Sequence, residues 1–438
     1  MKNFLTPING SIVAAQGFRA AGVFCDIKRL GTGKGSNRGA KPDLALIVSD
    51  STAAAAGAFT TNQICAAPVK LCARHLKKGA ARAILVNSGN ANACTGEQGR
   101  EDADEMAVLT ALAVNVSAQE VFVASTGRIG VLLPMANVKR GIAAAASALG
   151  STHAHAGAAE HAIMTSDTRP KQSAVEFSLG GKTVRLGGIC KGAGMIQPGM
   201  SATGARPALH ATMLCFLTTD AAIDSRLLQS CLNQAIAQSF NRITVDGDMS
   251  TNDTVLVLAN GRAGNAPVRR RSADLRVFQA ALNHVTLDLA RMIVLDGEGV
   301  SRFITIHLTG ARNAADADAA VRAVANSALV KTSWNGGDPN WGRIICALGY
   351  SAAKIDENKV DIGYSLPGQR EVLHSLKSGR PTDATFAALC KITCAKEFDL
   401  HINLNLGRAS TLLYAADLTE AYVDFNKGDV TDPSSLGG

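Results

Sequence analysis

The stretch Leu209 to Asp220 reads LHATMLCFLTTD, in which Thr212 stands directly before an apolar run that predicts a buried strand. A threonine hydroxyl is a weak nucleophile unless a base lies beside it. Cutting the chain before Thr212 would supply that base, because the freed α-amine has a pKa of about 8, close to working pH. Viewed alone, however, a strand-edge threonine without any chemistry is the simpler explanation.

Acyl chemistry at Thr212 also needs hydrogen-bond donors for the negative oxygen that forms in the transition state. The segment VASTGRIG offers such donors. We expect its strand to end at Ser125 and a turn to present the Thr126 hydroxyl and the unobstructed backbone N–H of Gly127. Because Ser-Thr-Gly is also a common turn, this segment alone does not establish an oxyanion hole.

Other motifs that imitate known sites fail on their spacing. GTGKGS at Gly31 to Ser36 lacks the four-residue gap and the Ser or Thr of a phosphate loop, and we expect a plain loop. DGDMSTNDT from Asp246 has Thr251 where a calcium loop needs Gly and Val257 where it needs Glu. The chain contains no G-x-S-x-G elbow, so a serine hydrolase of that type is not indicated.

Composition and charge narrow the class of protein. Lys plus Arg number 44 and Asp plus Glu 36, for a net charge of +8, but the basic residues are scattered. The densest group, Arg269 to Ser272, carries no aromatic residue nearby and predicts a solvated turn, so we expect no nucleic-acid partner. Ten cysteines without a C-x-x-C pair, and His153 and His155 without a third ligand, indicate reduced thiols and no metal site.

The N-terminus is broken by Pro7 and Gly10, and no run of about 18 apolar residues occurs. We therefore expect a cytoplasmic protein that does not bind a membrane.

Short β-rich segments alternate with alanine-rich helical ones, which predicts a mixed α/β fold. Before Thr212 we expect strands that run into Gly-bearing turns within Lys41–Asp50, Ala81–Asn92 and Glu120–Gly130, with helices that begin at Arg100 and Asn137. After it we expect helices at Asp224–Asn241 and Ala315–Val330, another helix that ends at Gly297, and strands at Asp253–Gly261 and Ser301–Gly310. Since no Pro- or Ser-rich linker separates the halves, we expect one packed body.

A series of motifs follows one another in order along nearly the whole chain. They are GFRAAGV from Gly17, PDLALI, VNSGNANACTG from Val86, STGRIG, MTSDTRPK from Met164, KGAGMIQP from Lys191, ATMLCFLTTDAAI, FNRITVDGDMSTNDT from Phe240, DGEG from Asp296 and GDPNWGRIICALGYS from Gly337. Together they resemble the glutamate N-acetyltransferases, also called ornithine acetyltransferases, of arginine biosynthesis. Their co-occurrence in order outweighs the alternatives that each motif leaves open alone.

The resemblance implies a precursor that cleaves itself between Ala211 and Thr212. The products are an α chain of residues 1–211 and a β chain of residues 212–438, interlocked in one layered α/β fold of sheets and helices, with two copies of each chain in the assembly. Thr212 would take the acetyl group of N2-acetyl-L-ornithine and pass it to L-glutamate. No cofactor is implied, and use of acetyl-CoA as a further substrate for glutamate acetylation stays open.

The resemblance also assigns residues to the site. Its oxyanion donors fall on Thr126 and Gly127. Its substrate contacts fall on Thr168, Lys191, Thr212, Glu298, Asn426 and Thr431. Other matching turns are expected to fix loops around the site through Asp246, Asp248, Asp338 and Arg343.

Two departures from the family pattern concern the cleavage point and the C-terminus. Twelve residues separate Pro198 from Ala211 where the family has about two, which makes Thr203 a rival cleavage position. Thr212 is favoured because only it precedes the apolar strand. The tail after Thr431 runs past the usual end of the family.

Two other function classes remain open at this point. An aminopeptidase or amidohydrolase with the same kind of N-terminal nucleophile would release its product to water without glutamate. A processed but inactive binding protein would need none of the catalytic groups.

Overall fold

The computed structural model describes residues 4–28, 41–201 and 213–427, which form sixteen strands and eleven helices. The strands are β1 Thr6–Pro7, β2 Phe18–Val23, β3 Leu44–Phe59, β4 Ala80–Asn90, β5 Val121–Arg128, β6 Lys171–Leu179, β7 Lys182–Lys191, β8 Leu214–Thr219, β9 Ile243–Thr244, β10 Thr254–Ala259, β11 Phe303–Ala311, β12 Asp361–Ser365, β13 Leu373–Lys377, β14 Arg380–Pro381, β15 Glu397–Asn403 and β16 Ala409–Ala416. The helices are α1 Ala67–His75, α2 Gly96–Val114, α3 Met135–Ser147, α4 His153–Ile163, α5 Ser225–Gln238, α6 Ala273–Leu295, α7 Ala314–Asn326, α8 Ala328–Asn335, α9 Trp341–Gly349, α10 Phe386–Thr393 and α11 Glu420–Phe425.

The first sheet has nine strands in the order β1-β6-β7-β8-β10-β3-β4-β5, with β2 paired to β3. Strand β8 lies at its centre, antiparallel to β7 and parallel to β10. Its side chains alternate between two hydrophobic cores: Leu214 and Phe216 join one, and Cys215 and Leu217 join the other. A strand buried on both faces needs a covering layer on each side, which explains its continuous apolar run.

Helices cover both faces of this sheet. The core on one face includes residues of α1 to α4, and the core on the other face includes residues of α5 and α6. The layered α/β architecture expected from the sequence is therefore confirmed.

The second sheet has seven strands in the order β14-β13-β12-β15-β11-β16-β9. A third core lies between this sheet and helices α7 to α9, with Trp334 and Tyr364 among its largest buried side chains. On the other side of the sheet, Phe303 and Tyr414 join the core that contains α6. The two sheets are thus packed into one body, as the absence of a linker predicted.

Two predictions of element bounds differ most from the structure. The strand expected at Lys41–Asp50 is β3, which runs on to Phe59 because its second half, residues 54–59, pairs with β10. The single helix expected at Ala315–Val330 is two helices, α7 and α8. Ser327 separates them, and its hydroxyl caps α8 by accepting a hydrogen bond from the Val330 N–H.

The segments before and after residue 212 share the first sheet. Strand β8 pairs with β7, which precedes that point, and β10, which follows it, pairs with β3. Two chains produced by a cut there would be interlocked through backbone hydrogen bonds. The division into residues 1–211 and 212–438 itself stays a prediction.

Candidate functional site

Thr126 and Gly127 lie inside strand β5, so the expected turn after Ser125 was wrong. The parallel pairing of β4 with β5 is irregular at this point, because Asn90 pairs with both Thr126 and Arg128. Such a bulge re-aims the backbone of a strand and is frequent next to active sites.

The bulge requires glycine at position 127. Gly127 has φ of 128°, and a Cβ atom there would lie 2.4 Å from the carbonyl carbon of Gly89 and 2.6 Å from the nitrogen of Asn90. Any other residue would be strained and would push β4 away. The close packing of β4 and β5 therefore requires glycine at position 127, where the sequence predicted an unobstructed N–H donor.

Lys191 ends strand β7 opposite Leu214 and places its ammonium group beside Thr126. Its Nζ donates to Thr126 Oγ1 at 3.2 Å and lies 4.0 Å from Asp167 Oδ2. Burial lowers the pKa of Lys191, and the charge of Asp167 partly opposes that effect. The buried amino group of Lys191 thus lies next to one of the predicted oxyanion donors.

Glu298 lies in the turn that follows helix α6 and faces the same space. Its backbone N–H donates to Ala193 O at 2.9 Å, and its side chain packs so closely on Gly194 that a Cβ there would lie 2.4 Å from the carboxyl carbon. Asn426, at the end of α11, donates its side-chain N–H to Glu298 Oε2 at 3.0 Å. Two predicted substrate contacts from distant parts of the chain are therefore in direct contact.

These groups surround one cavity of about 300 Å³. Five predicted site residues line it: Thr126, Gly127, Lys191, Glu298 and Asn426. Its volume is at the lower end for small-molecule sites, and its walls carry both an ammonium and a carboxylate. Such a cavity can bind a small zwitterion and hold one of its carbonyl groups next to oxyanion donors.

Thr168 is the described site residue that does not line this cavity. It is exposed, its backbone N–H donates to Asp296 Oδ2 at 3.1 Å, and its hydroxyl donates to Asp296 Oδ1. Thr165 and Ser166, from the same turn, line the cavity in its place. Thr168 is thus connected to the site through its neighbours.

The predicted nucleophile and cleavage point, Ala211 and Thr212, lie outside the described residues, as do Thr203, Thr431 and the GTGKGS segment. The described chain resumes at Met213, one residue after Thr212. Met213 is buried, and its backbone N–H donates to Asp253 Oδ1 at 2.5 Å. Strand β8 then begins at Leu214, the partner of Lys191 in the sheet.

Sequence reasoning missed the roles of Asn252 and Asp253, which it placed in a failed calcium loop and in a family motif without giving either a role. Asn252 Nδ2 donates to Ala91 O at 2.6 Å and to Ser125 O at 2.8 Å, which ties together the two strands beside the bulge. Asp253 is fully buried, and among the described residues its Oδ2 has no hydrogen-bond partner. Burial raises the pKa of Asp253 well above its usual value. Their place in the matching motif STNDT was the available signal.

Asp246 fixes a loop of the site, as expected. Its carboxylate accepts the backbone N–H groups of Met195 at 2.6 Å and Ile196 at 2.8 Å. Asp248, two residues on, lines the cavity itself. Asp338 and Arg343 lie elsewhere, around the start of α9, where Arg343 donates to Leu329 O at 2.7 Å.

Within residues 4–28, 41–201 and 213–427, no group of three or more His, Cys, Asp or Glu side chains is arranged to hold a metal ion. In the same ranges, no helix is both long and apolar enough to cross a membrane. The described cysteines are free thiols, most of them at least partly buried. Arg269, Arg270 and Arg271 are exposed in a turn before α6, as predicted.

Residues 19–429 match the model of the ArgJ family. The chain is 46% identical over 417 residues to the arginine biosynthesis bifunctional protein ArgJ of Symbiobacterium thermophilum, covering 95% of this chain and 98% of that protein. It is 42% identical over 424 residues to the glutamate N-acetyltransferase of Methanocaldococcus jannaschii, covering 96% of this chain and 98% of that protein.

Among solved structures, the ornithine acetyltransferase of Mycobacterium tuberculosis, complexed with ornithine, is 38% identical to this chain. The alignment covers 45% of this chain and 100% of that one, with a TM-score of 0.40, too low to carry an argument.

Proposed function

The chain belongs to the ArgJ family, and from this premise we propose that it transfers the acetyl group of N2-acetyl-L-ornithine to L-glutamate. The chain is an acyltransferase enzyme of arginine biosynthesis. The proposal adds that the acetyl group is carried on Thr212 after autocatalytic cleavage between Ala211 and Thr212. Relatives that cover nearly the whole chain bear the names bifunctional ArgJ and glutamate N-acetyltransferase, which supports this substrate pair.

The observation that carries the proposal is the cavity in which Gly127, Lys191 and Glu298 meet. These residues come from β5, the end of β7 and the turn after α6, and no local sequence feature brings them together. Met213, the residue bonded to the proposed nucleophile, is anchored by Asp253 at the start of the strand that pairs with Lys191. Connectivity therefore favours delivery of the Thr212 hydroxyl to this cavity.

In the first half-reaction, the α-amine of Thr212 accepts the proton of its own hydroxyl while the oxygen attacks the acetyl carbonyl of acetylornithine. The Gly127 N–H and the Thr126 hydroxyl donate to the resulting oxyanion. Collapse of this intermediate breaks the amide bond, the ornithine nitrogen takes the proton, and an acetyl ester remains on Thr212. Ornithine then leaves.

In the second half-reaction, the α-amine of glutamate attacks the ester carbonyl, and the same donors stabilise the second oxyanion. The ester bond breaks, the Thr212 oxygen recovers a proton, and N-acetyl-L-glutamate leaves. Because one product departs before the second substrate binds, ping-pong kinetics are expected.

Lys191 and Glu298 account for how one cavity can serve both substrates. Ornithine and glutamate share an α-carboxylate, which the Lys191 ammonium can bind, and Glu298 can hold an ammonium group of the substrate. Asn426 restrains the Glu298 carboxylate from the other side. Thr168 and Thr431 complete the proposed substrate contacts.

The assembly of two α and two β chains, the cytoplasmic location, the absence of a cofactor and any use of acetyl-CoA belong to the same proposal. Acetyl-CoA would enter as an alternative acetyl donor for glutamate, and would load the same threonine.

The test begins with the intact mass of the purified protein under denaturing conditions and the N-terminal sequence of each fragment. We expect two chains, the second beginning Thr-Met-Leu-Cys, and a single uncut chain for Thr212→Ala. A cut before Thr203, or a wild-type chain that stays whole, would contradict the proposed nucleophile.

The second step of the test incubates the protein with acetylornithine labelled in the acetyl group. We expect labelled acetylglutamate when glutamate is present, and, in its absence, transfer of the labelled acetyl group to added ornithine that carries a separate isotope label. Release of labelled acetate at the same rate with and without glutamate would instead identify a hydrolase.

A further inference from the structure

A row of four buried charged side chains runs behind the cavity, and we call it the buried ion chain: Lys191, Asp167, Lys171 and Asp296. Lys171 Nζ donates to Asp167 Oδ1 at 2.6 Å and to Asp296 Oδ2 at 2.5 Å. Asp167 Oδ2 lies 4.0 Å from Lys191 Nζ. The charges alternate in sign along the row and sum to zero.

The buried ion chain is almost wholly removed from water. The exposed fraction of the side chain is 4% for Lys191, 0% for Asp167, 1% for Lys171 and 3% for Asp296. Buried charges are tolerated only when they are paired and hydrogen-bonded, because desolvation is costly. Asp167 meets this condition by also accepting the backbone N–H groups of Gly192 at 2.7 Å and Thr165 at 3.0 Å.

Each residue of the buried ion chain lies in or beside a segment that carries a proposed substrate contact. Asp167 directly precedes Thr168, and Asp296 lies two residues before Glu298. Lys171 begins β6 and pairs in the sheet with Cys190, the neighbour of Lys191. A single lysine at the centre thus joins three segments that meet at the cavity.

We propose that Asp167 and Lys171 are positioning residues that act with opposite sign on Lys191, Asp167 holding it in the cationic form and Lys171 limiting that effect. The proposal rests on the proposed function in one respect, namely that Lys191 must be a cation to bind a substrate carboxylate. Neither residue lines the cavity, so neither touches the substrate directly.

The electrostatic balance at Lys191 involves several groups. Burial lowers the pKa of Lys191; the nearby carboxylates of Asp167, Glu298 and Asp253 raise it, and the ammonium of Lys171 lowers it. Lys28, which interacts with Lys191 from the first described segment, adds a like charge. Among these carboxyl groups, Asp167 is the one with the largest effect on Lys191.

The state of Asp167 itself supports this assignment. Burial alone would raise the pKa of Asp167, but the two lysines and the Gly192 N–H outweigh it and lower the pKa to about 2. Asp167 therefore stays ionised at every pH at which the enzyme would work. Lys171, whose pKa is raised by Asp167 and Asp296 against the effect of burial, likewise stays charged.

The test compares Asp167→Asn with Lys171→Met in the full-length protein. Activity that needs cationic Lys191 is lost as the pH rises through the pKa of Lys191, so this pKa sets the alkaline limb of kcat/KM. Removing Asp167 should move the limb to lower pH by about one unit, and removing Lys171 should move it to higher pH by a similar amount. Opposite shifts are the result that a merely structural role would not give.

The control is Asp220→Asn. Asp220 is a fully buried carboxyl group that accepts the backbone N–H groups of Arg185 at 2.8 Å and Gln16 at 3.0 Å, at the far end of β8 from Met213. We expect the alkaline limb of kcat/KM to stay at the same pH in this variant, even if the folded protein is less stable. If Lys171→Met does not fold, the double variant Lys171→Met/Asp296→Asn removes two opposite charges together and leaves the net charge unchanged. This double variant should still move the alkaline limb of kcat/KM to higher pH.

A direct readout separates this inference from the proposed function. Lysine labelled with ¹³C at Cε reports each pKa by NMR without any substrate, and Lys191→Gln identifies the resonance of Lys191. A lower pKa of Lys191 in Asp167→Asn and a higher one in Lys171→Met would support the inference even if no acetyl transfer occurs. Unchanged values, or shifts in the same direction, would overturn it even in a fully active transferase.

Discussion

At the scale of the residue, the feature of interest is Gly127, whose backbone N–H is a proposed oxyanion donor. Its positive φ and its approach to Gly89 and Asn90 leave no room for a Cβ atom. The proposed donor lies in a β-bulge and is held by two strands, so it would need no reorganisation when charge develops on the substrate. The rigidity of the strand pair is therefore part of the proposed catalysis.

Gly127→Ala should reduce acetyl transfer by about 10²- to 10³-fold, the usual cost of losing an oxyanion donor. The reason is that the added methyl group must displace β4 or rotate the N–H away. The matched control is Gly130→Ala, since Gly130 also has positive φ, at 81°, but a Cβ there meets nothing within 4 Å. Steady-state kinetics of both variants check the prediction. Equal losses would attribute the effect to backbone strain instead of the donor.

At the scale of the element, strand β8 links the proposed cleavage point to the candidate site. Its start is held by Asp253, which accepts the Met213 N–H, and its end is followed by Asp220, which accepts two other backbone N–H groups. Both carboxyl groups are buried, and burial raises the pKa of each. The two residues thus play equivalent structural roles at opposite ends of one strand.

Asp253→Ala should slow maturation into two chains by about 10²-fold, because small misplacements of reacting groups have effects of this size. Asp220→Ala should mature at the normal rate, since the start of β8 keeps its anchor. Intact mass measured at intervals after expression gives both rates. Equally slow maturation of the two variants would mean that general destabilisation is the cause.

At the scale of the whole molecule, the proposed cut falls inside a shared sheet. Strand β8 would belong to the second chain while β7 and β3 belong to the first, so the sheet order alternates between them. Burial of Leu214, Phe216 and Leu217 in two cores adds about 1.5–3 kcal/mol for each side chain. Neither chain could keep its core without the other.

The two chains should therefore stay associated until the molecule unfolds. We expect native mass spectrometry to find both fragments in one complex, and denaturant to separate them only across the cooperative unfolding transition monitored by circular dichroism. Free fragments in native buffer would contradict the interlocked arrangement.

The family, the layered α/β class and the residue types at the candidate site can be predicted from the amino-acid sequence alone. Strand β8 was recognisable because a strand buried on both faces is continuously apolar, and Gly127, Lys191 and Glu298 stood out through ordered motifs. These features are local, or follow from composition along a single element, so they can be read from the chain alone.

The contacts among those residues depend on how distant segments pack in the folded protein. The bulge at Gly127 depends on β4, and the pairing of Lys171 with Asp296 joins residues 125 positions apart. The contact between Asn426 and Glu298 likewise joins distant segments, across 128 positions. Sequence spacing cannot predict such contacts, because burial, charge pairing and the close approach of backbones are set by which segments pack against each other.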